Sequence, residues 1–245
     1  RIIKDLDKVF YPESFVVPFT SIVHDRSQLE IQRGCLRGCR FCQAGFIYRP
    51  LRDKHHNTLD NNAKCLCQST GYDEISLTSL STSDYDELAD LLDDMLPWTS
   101  QQQINMSLPS LRVDNFSEEL MKKISKVRKS GLTFAAEAGT QRLRDVINKN
   151  ITEENIMSAL TDAFNQGYTS VKLYFMLGLP TETMEDVEGI YNLACKIKSL
   201  YKWIKKSGKD LRISVSCSTF IPKPFTPFQW CAFADRESIE QKQRY

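Results

Sequence analysis

The sequence predicts an α/β fold, a partial (β/α)6 barrel of the TIM type in which six parallel strands leave one side open. Strand-like and helix-like segments alternate from about residue 28 onward, and such an alternation calls for a parallel sheet. A complete eight-unit barrel takes about 250 residues, or roughly 30 for each unit. The 245 residues therefore accommodate six units with long loops. We expect an irregular lead-in at 1–27, the barrel at 28–231 and the start of a C-terminal extension at 232–245.

The elements of this alternation follow from the spacing of apolar residues. The predicted strands are Gln28–Gly34, Asp73–Thr78, Gln103–Leu108, Leu132–Ala136, Ser170–Met176 and Arg212–Phe220. The predicted helices are Thr58–Ser69, Tyr85–Leu96, Phe116–Arg128, the segment from Thr152 to Gln166, and Met184–Lys206. Thr152 is a favourable N-cap because two glutamates follow it in the first turn. The final segment, Asp235–Tyr245, is charged and helix-like.

Composition narrows the class of protein. The chain is 41% hydrophobic and 26% charged with a formal net charge of +1, the balance of a globular protein with a core. Near-zero net charge argues against a general polyanion binder. No run approaches the roughly 18 apolar residues of a membrane span. No segment near Arg1 reads as a secretion signal, so we expect a cytoplasmic piece of a longer protein whose eight cysteines are thiols or metal ligands.

The motif with the most chemical information is Cys-x3-Cys-x2-Cys, formed by Cys35, Cys39 and Cys42, with Phe41 directly before the last cysteine. A 4Fe–4S cluster is normally held by four cysteines. Three thiolates would leave one iron open, much as catalytic metal sites keep an open coordination position. The motif therefore predicts a cluster at which a small molecule binds and reacts.

A zinc site is the alternative for these cysteines, with Cys65 or Cys67 as the fourth ligand. Zinc sites usually pair their cysteines as two C-x2–4-C units, which favours the cluster. Cys65 and Cys67 lie on a predicted helix at a spacing where side chains face apart, so we expect no second cluster. His55 and His56 are expected to be exposed loop residues and not metal ligands.

Polar and glycine-containing loops follow the predicted strands. In barrels of this kind the loops leaving the C-terminal ends of the strands carry the active site. The cysteine motif follows the first strand, and the loops after the second to fifth strands are Thr78–Ser83, Ser107–Arg112, Glu137–Gly139 and Gly178–Glu182. Their convergence at one end of the barrel predicts an active site there.

Beyond its spacing, the cysteine motif with Phe41 resembles the signature of radical S-adenosylmethionine (SAM) enzymes. Three longer runs resemble one branch of these enzymes, which also carries a cobalamin-binding-type domain and has undefined substrates: Arg33–Arg52, Phe134–Arg144 and Phe220–Trp230. The resemblance covers nearly the whole chain. It implies a 4Fe–4S cluster on Cys35, Cys39 and Cys42 with SAM on the open iron. Cobalamin would be used only through a domain that these residues lack.

The resemblance also implies a reaction and its partners. One electron from the reduced cluster cleaves SAM to methionine and a 5′-deoxyadenosyl radical, which removes a hydrogen atom from the substrate. The cofactors carry such chemistry, while the protein supplies position and excludes water. The electron donor would be flavodoxin- or ferredoxin-like. The side opening of a six-strand barrel would admit a large substrate, such as an RNA or a protein, and no membrane is involved.

Several residues at the strand ends are implied as SAM contacts. Phe41 would shield one face of the cluster, and its backbone would lie near the adenine. The loop with Ser79 and Ser81 stands where the backbone meets the methionyl amino group, although the usual Gly-Gly-Glu is missing. Ser107 and Arg112 would suit the ribose and the carboxylate. A surface ion pair is the alternative role for Arg112.

Two later strand ends add further candidates. Glu137 would accept hydrogen bonds from the ribose hydroxyls or the amino group, and the alternative is a structural salt bridge with Arg142 or Arg144. Gly178 and Leu179 would offer an apolar backbone to the adenine. For these two residues the alternative is a simple strand-to-helix turn.

Two other functions compete with that of a radical enzyme. The first is an iron–sulfur electron-transfer module, which should have four protein ligands and needs no polar strand ends. The second is a zinc-stabilised nucleic-acid-binding module. It is suggested by the basic residues around the cysteine motif, which are Arg33, Arg37, Arg40, Arg49, Arg52 and Lys54.

Overall fold

The computed structural model describes residues 3–109, 112, 123, 132–205 and 210–245. The chain divides into two compact units. Unit 1 contains Arg1–Cys35 and Pro50–Lys129, and unit 2 contains Leu36–Arg49 and Ser130–Tyr245. Cys35 therefore belongs to unit 1, whereas Cys39 and Cys42 belong to unit 2.

Strands and helices alternate along the described residues. The strands are β1 (Ser27–Glu30), β2 (Gln32–Arg33), β3 (Arg52–Asp53), β4 (Glu74–Thr78), β5 (Asn105–Ser107), β6 (Leu132–Glu137), β7 (Ser170–Leu177) and β8 (Arg212–Thr219). The helices are α1 (Ala44–Ile47), α2 (His56–Thr70), α3 (Leu88–Gln101), α4 (Gln141–Val146), α5 (Glu153–Asn165), α6 (Met184–Ile204) and α7 (Arg236–Arg244). A 3-10 turn spans Thr82–Asp84. None of these described helices combines the length and the apolar character needed to cross a membrane.

Strands β1, β4 and β5 form the parallel sheet of unit 1, in that order. Leu29 lies beside Leu77, and Ile75 lies beside Met106. These four side chains are buried, and they form one core with the apolar faces of α2 and α3. Full burial of a large apolar side chain contributes roughly 1.5–3 kcal/mol. The core therefore fixes the sheet against its helices.

Strands β6, β7 and β8 form the parallel sheet of unit 2, in that order. Phe134 lies beside Leu173, and both side chains are buried. Helices α5 and α6 pack together through Phe164 and Tyr201, whose rings meet edge to face with centroids 5.0 Å apart. Unit 2 is thus an α/β unit with its own buried core.

The predicted alternation is confirmed. All six predicted strands are present, as β1, β4, β5, β6, β7 and β8, and each pairs in parallel with a neighbour. Thr152 is the N-cap of α5, because its hydroxyl accepts the N–H of Asn155 at 3.1 Å. The predicted helix Phe116–Arg128 lies outside the described residues, apart from Lys123.

The first predicted strand is interrupted in the structure. The N–H of Ile31 donates to the carbonyl of Thr78 at 3.1 Å, which continues the bonding between β1 and β4. The chain then leaves the parallel sheet, and β2 pairs antiparallel with β3. The sequence does not predict this antiparallel pairing, because each strand has only two residues and carries no periodic signal.

Helix α3 continues past Pro97, where the prediction ended it. The indole N–H of Trp98 donates to the carboxylate of Asp60 at 2.8 Å. The hydroxyl of Thr99 donates to the carbonyl of Met95 at 2.8 Å. The first bond anchors the last turn to α2 and the second lies within α3, and together they offset the local penalty of a proline inside a helix.

The turn after β6 packs directly against α6. A Cβ atom on Gly139 would lie 2.3 Å from the carbonyl oxygen of Asp186 and 2.4 Å from the nitrogen of Ile190. From the other side, a Cβ atom on Gly189 would lie 2.8 Å from Cγ2 of Thr140. Both positions therefore require glycine, and this close approach fixes the end of β6 against the first turns of α6.

We expect Gly139→Ala to destabilise the protein by about 3 kcal/mol, the upper end of the range for overpacked sites, because the obstructing atoms are backbone. The control is Gly71→Ala, where no atom lies within 4 Å but φ is +74°. That substitution should cost only the backbone term of about 1–2 kcal/mol. Urea unfolding followed by circular dichroism measures both. Equal losses in the two variants would contradict the close approach.

Candidate functional site

The second and third cysteines of the motif lie in a short loop of unit 2 that precedes α1. Cys39 is buried and Cys42 is partly exposed. The N–H of Cys42 donates to the carbonyl of Cys39 at 3.1 Å, so both residues belong to one tight turn. A Cβ atom on Gly45 would lie 1.8 Å from the carbonyl oxygen of Arg37. The loop therefore folds back on α1 at a point where only glycine fits.

This cysteine loop (residues 36–42) is held by the segment that ends α4 and follows it, residues 146–150, which we call the anchor segment. The N–H of Arg40 donates to the carbonyl of Ile147 at 2.9 Å, and the guanidinium of Arg40 donates to the carbonyl of Val146 at 2.6 Å. The side-chain amide of Asn148 donates to the carbonyl of Gly38 at 2.8 Å. One backbone bond and two bonds from side chains to carbonyls therefore connect the loop to the anchor segment and shape it.

We expect Asn148→Gly to loosen the cysteine loop. Asn148 has φ of 53°, so glycine removes the side chain without adding backbone strain. Loss of the bond to Gly38 should cost about 1 kcal/mol and should speed hydrogen exchange at the amides of Arg40 and Cys42. The matched control is Asn150→Gly, an exposed residue that also has φ of 53°. Equal exchange in both variants would contradict the role of Asn148.

Phe41 and Leu179, two of the predicted SAM contacts, belong to the same apolar cluster of unit 2. The buried members of the cluster are Ala138, Leu143, Ile147, Leu179, Phe220 and Phe228. Phe41 packs against them as a partly buried side chain, and Leu179 is 3% exposed. The Leu179 side chain is therefore engaged by the protein, which leaves its backbone as the part that could face a ligand.

Glu137 ends β6 in an unusual conformation and forms a salt bridge. The register of β6 on β7 shifts between Ala135 and Glu137, and φ of Glu137 is 66°. Its Oε1 atom accepts from Nζ of Lys149, in the anchor segment, at 3.1 Å, and both side chains are mostly buried. The alternative prediction of a salt bridge is therefore correct in kind, but the partner is Lys149 and not Arg142 or Arg144. Strained positions of this kind cluster at functional sites.

Arg144 supports the turn that follows Glu137. Its side chain is fully buried. The guanidinium donates to the carbonyl of Ala138 at 3.0 Å and to the side chain of Gln141 at 3.2 Å. Burial lowers the pKa of Arg144, because taking the charge out of water disfavours the charged form. The residue therefore acts as an internal support for the backbone and is not available to pair with a ligand.

Asp186, in the first turn of α6, joins α6 to α4. Its buried carboxylate accepts hydrogen bonds from the hydroxyl of Thr140 and the guanidinium of Arg142. It also accepts from the N–H of Thr183 at 2.8 Å. Burial alone would raise the pKa of this carboxyl, but the hydrogen bonds outweigh it, and the pKa of Asp186 is lowered.

The lowered pKa of Asp186 predicts a pH-dependent contribution to stability. The contribution is complete above the unfolded pKa of about 3.9, and it is lost as the pH falls through the lower folded-state pKa. Asp186→Asn should therefore cost about 1.5–3 kcal/mol at pH 7 and less near pH 3. Urea unfolding at both pH values checks this, with exposed Asp210→Asn as the control. A penalty independent of pH would contradict the assignment.

Gly178 opens a turn that is covered by helix α7. Its N–H donates to Oε2 of Glu182 at 2.7 Å, and the same oxygen accepts from Nζ of Lys242, on α7, at 2.6 Å. Gly178 has φ of 80°, and a Cβ atom there would lie 2.8 Å from the Ile239 side chain. Helix α7 therefore occupies the space that a side chain at position 178 would need.

The loop after β4 carries Ser79 and Ser81 in unit 1. The Ser79 hydroxyl lies 3.1 Å from the hydroxyl of Thr82. The Ser81 hydroxyl is buried and has no hydrogen-bond partner among the described residues. A buried polar atom without a partner costs about 1–3 kcal/mol. Ser81 is therefore a position where a ligand atom would remove a penalty.

Ser107 and Arg112 follow the third predicted strand, which is β5. Ser107 is the last residue of β5 and lies beside Ser76 of β4. The N–H of Arg112 donates to the hydroxyl of Ser83 at 2.8 Å. Because parallel strands end at one edge of a sheet, unit 1 brings Ser107 and the loop after β4 to the same edge.

The anchor segment and the role of Lys149 are not among the features predicted from the sequence. A local signal was present, because asparagine adopts positive φ more readily than most residues and both Asn148 and Asn150 do so. Two such residues around one lysine indicate a sharp turn. No local pattern indicates that this lysine reaches Glu137, so the salt bridge could be found only from the structure.

The region that contains the cysteine motif matches a known family. A family model described as the radical SAM superfamily matches residues 29–194. This chain belongs to the radical SAM superfamily. The radical SAM methyltransferase TsrM from Kitasatospora setae, solved with cobalamin and a [4Fe-4S] cluster, has a similar fold, with a TM-score of 0.63 and 12% identity over 83% of this chain and 38% of that chain. The partial radical SAM barrel is therefore confirmed.

Relatives of this radical SAM chain are longer than it is. An uncharacterized protein of Methanocaldococcus jannaschii is 37% identical over 238 residues, which cover 92% of this chain and 49% of the relative. A threonylcarbamoyladenosine tRNA methylthiotransferase of Aquifex aeolicus is 25% identical over 210 residues, which cover 82% of this chain and 48% of the relative. The chain thus spans about half the length of these relatives.

Proposed function

We propose that this chain binds a 4Fe–4S cluster through Cys35, Cys39 and Cys42 and cleaves SAM reductively. The observation that carries the proposal is the three-cysteine motif inside the region that matches the radical SAM superfamily. When bound and reduced, the cluster supplies the electron that breaks a C–S bond of SAM, giving methionine and a 5′-deoxyadenosyl radical. The radical would then take a hydrogen atom from the substrate.

The chemistry of the cysteines supports a cluster over a zinc site. The structure describes all eight cysteines, and none is in a disulfide. Cys67, a candidate fourth zinc ligand, lies in the core of unit 1, where burial raises the pKa of its thiol. A thiol with a raised pKa is a poor metal ligand, because the thiolate is the form that binds. Cys65 is exposed and lies two positions away on α2.

The proposal includes the SAM contacts expected from the sequence. The residues concerned are Phe41, Ser79, Ser81, Ser107, Arg112, Glu137, Gly178 and Leu179. Ser81 is supported by its buried, unpartnered hydroxyl. Glu137 accepts from Lys149 through Oε1, so Oε2 is the oxygen that we assign to a hydrogen bond from SAM. The ammonium group of Lys149 lies beside the carboxylate of Glu137 and balances its negative charge within this mostly buried pair.

The proposal extends to partners. A flavodoxin- or ferredoxin-like protein would supply the electron. The name of the Aquifex aeolicus relative, a tRNA methylthiotransferase, supports a macromolecular substrate, an RNA or a protein. The absence of disulfides among the eight cysteines supports a reducing compartment, for which we propose the cytoplasm.

The basic residues near the cysteine motif give weak support to a nucleic-acid-binding module, because some of them already have partners within the protein. The guanidinium of Arg33 forms two hydrogen bonds with Glu30, at 2.7 and 2.5 Å. Lys54 is buried, with Nζ 4.0 Å from the ring centroid of Tyr11. At least two of the six basic side chains thus form contacts within the protein.

Anaerobic reconstitution with iron and sulfide tests the proposal. We expect a brown chromophore that dithionite reduces, and 5′-deoxyadenosine should form when SAM is added. Cys39→Ala should abolish both, because two thiolates cannot hold the cluster in place. Cys195→Ala, an exposed cysteine on α6, should leave both unchanged.

Three results would contradict the proposal in different ways. Colourless protein that holds zinc at the motif would favour the zinc-stabilised module. A cluster whose spectrum and products are indifferent to SAM would favour the electron-transfer module. Unchanged 5′-deoxyadenosine formation in Cys39→Ala would refute the ligand assignment itself.

A further inference from the structure

Two of the three histidines of the chain lie together with a glutamate in unit 1, and none of these residues has a role above. His55, His56 and Glu87 each offer one ligand atom, and these atoms lie within 4.8 Å of one another. His55 is the N-cap of α2, His56 is its first residue, and Glu87 directly precedes α3. The expectation of two exposed loop histidines is thus wrong for His56, which begins a helix and is partly buried.

Glu87 has one oxygen committed to the protein and one directed at His55. Oε2 accepts from the N–H of His56 at 2.9 Å and from the hydroxyl of Tyr85 at 3.4 Å. Oε1 lies 3.8 Å from Nε2 of His55. Two ligand atoms that bind one tetrahedral zinc ion at about 2.0–2.1 Å lie roughly 3.3 Å apart. A small movement of the exposed His55 ring would close this difference.

A carboxylate on α3 orients the second histidine. Nδ1 of His56 lies 2.6 Å from Oδ2 of Asp94. Histidines that bind metals commonly donate their other ring N–H to a carboxylate, which fixes the tautomer and the direction of the ring. In this arrangement Nε2 of His56 is the nitrogen left for an ion.

Two hydrogen bonds of His55 bear on the binding of an ion, and one of them would have to break. The N–H of His55 donates to the carboxylate of Asp7 at 3.0 Å, so a further negative charge lies close by. Nδ1 of His55 accepts from the N–H of Asn57 at 3.3 Å. A metal on Nε2 requires a proton on Nδ1, so that bond must be released. It is a long bond, and water can satisfy an N–H in the first turn of a helix.

We propose that His55, His56 and Glu87 bind one divalent transition-metal ion, with Asp94 as the residue that positions His56. Two imidazoles and one carboxylate, with water in the fourth position, match the ligand preferences of zinc. The ion would link the start of α2 to the start of α3. This site is separate in residues and chemistry from the three-cysteine motif, and it does not depend on the function proposed for that motif.

Imidazole NMR on the whole 245-residue chain tests the proposal, because only three histidines contribute signals. We expect zinc added in excess of what the three-cysteine motif can bind to shift the ring 15N signals of His55 and His56 and to leave those of His24 unchanged. His24 is a matched control, an exposed histidine of the same unit that contacts Arg26. Zinc that binds only to cysteines would shift none of the three signals and would overturn the proposal.

Variants measure the contribution of each group by zinc titration with the same readout. Asp94→Asn should weaken binding about 10–100-fold, the usual effect of losing a carboxylate that orients a ligand histidine. Glu87→Gln and His55→Ala should weaken it at least as much, because each removes a ligand. His24→Ala should leave the affinity unchanged. Equal affinity in wild type and His55→Ala, or equal weakening by His24→Ala, would refute the site.

Discussion

The shape of the cysteine loop depends on backbone hydrogen bonds from segments far away in the chain. Arg40 is held on both sides, because its N–H donates to Ile147 at 2.9 Å and its carbonyl accepts from Phe228 at 3.1 Å. Asn148 adds a third bond, to Gly38. Backbone groups in such a loop must find partners outside regular secondary structure. In unit 2, the anchor segment is therefore as much a part of the site as the cysteines.

The run after β6 meets a different physical need at each position. Gly139 allows the chain to touch α6, and Arg144 satisfies a buried carbonyl from inside the turn. On α6, the carboxylate of Asp186 accepts hydrogen bonds from the side chains of Thr140 and Arg142. These contacts hold the end of β6, where Glu137 adopts its strained conformation. The pair of Glu137 and Lys149 then joins this run to the anchor segment.

Local features could be predicted from the sequence, whereas the partners of charged residues could not. The strands and the cap at Thr152 follow from apolar spacing and side-chain chemistry within a few residues, and the structure confirms them. For Glu137 the sequence predicts a SAM contact, with a salt bridge to Arg142 or Arg144 as the alternative, whereas the salt bridge in the structure is with Lys149. His56 carries no local sign of burial, because its carboxylate partners are Glu87, which directly precedes α3, and Asp94 on α3, which follow it by 31 and 38 positions. Charge partners depend on which elements meet, and that information is absent from local patterns.

The hydrogen bond between Asn148 and Gly38 also bears on how the protein is made. The two residues are separated by 110 positions. A ribosome adding about 5–20 residues per second needs on the order of ten seconds to reach Asn148 after the loop has emerged. During that interval the thiols of the loop are present without the contacts that shape it. The hydrogen bonds that shape the loop are therefore completed late in the synthesis of the chain.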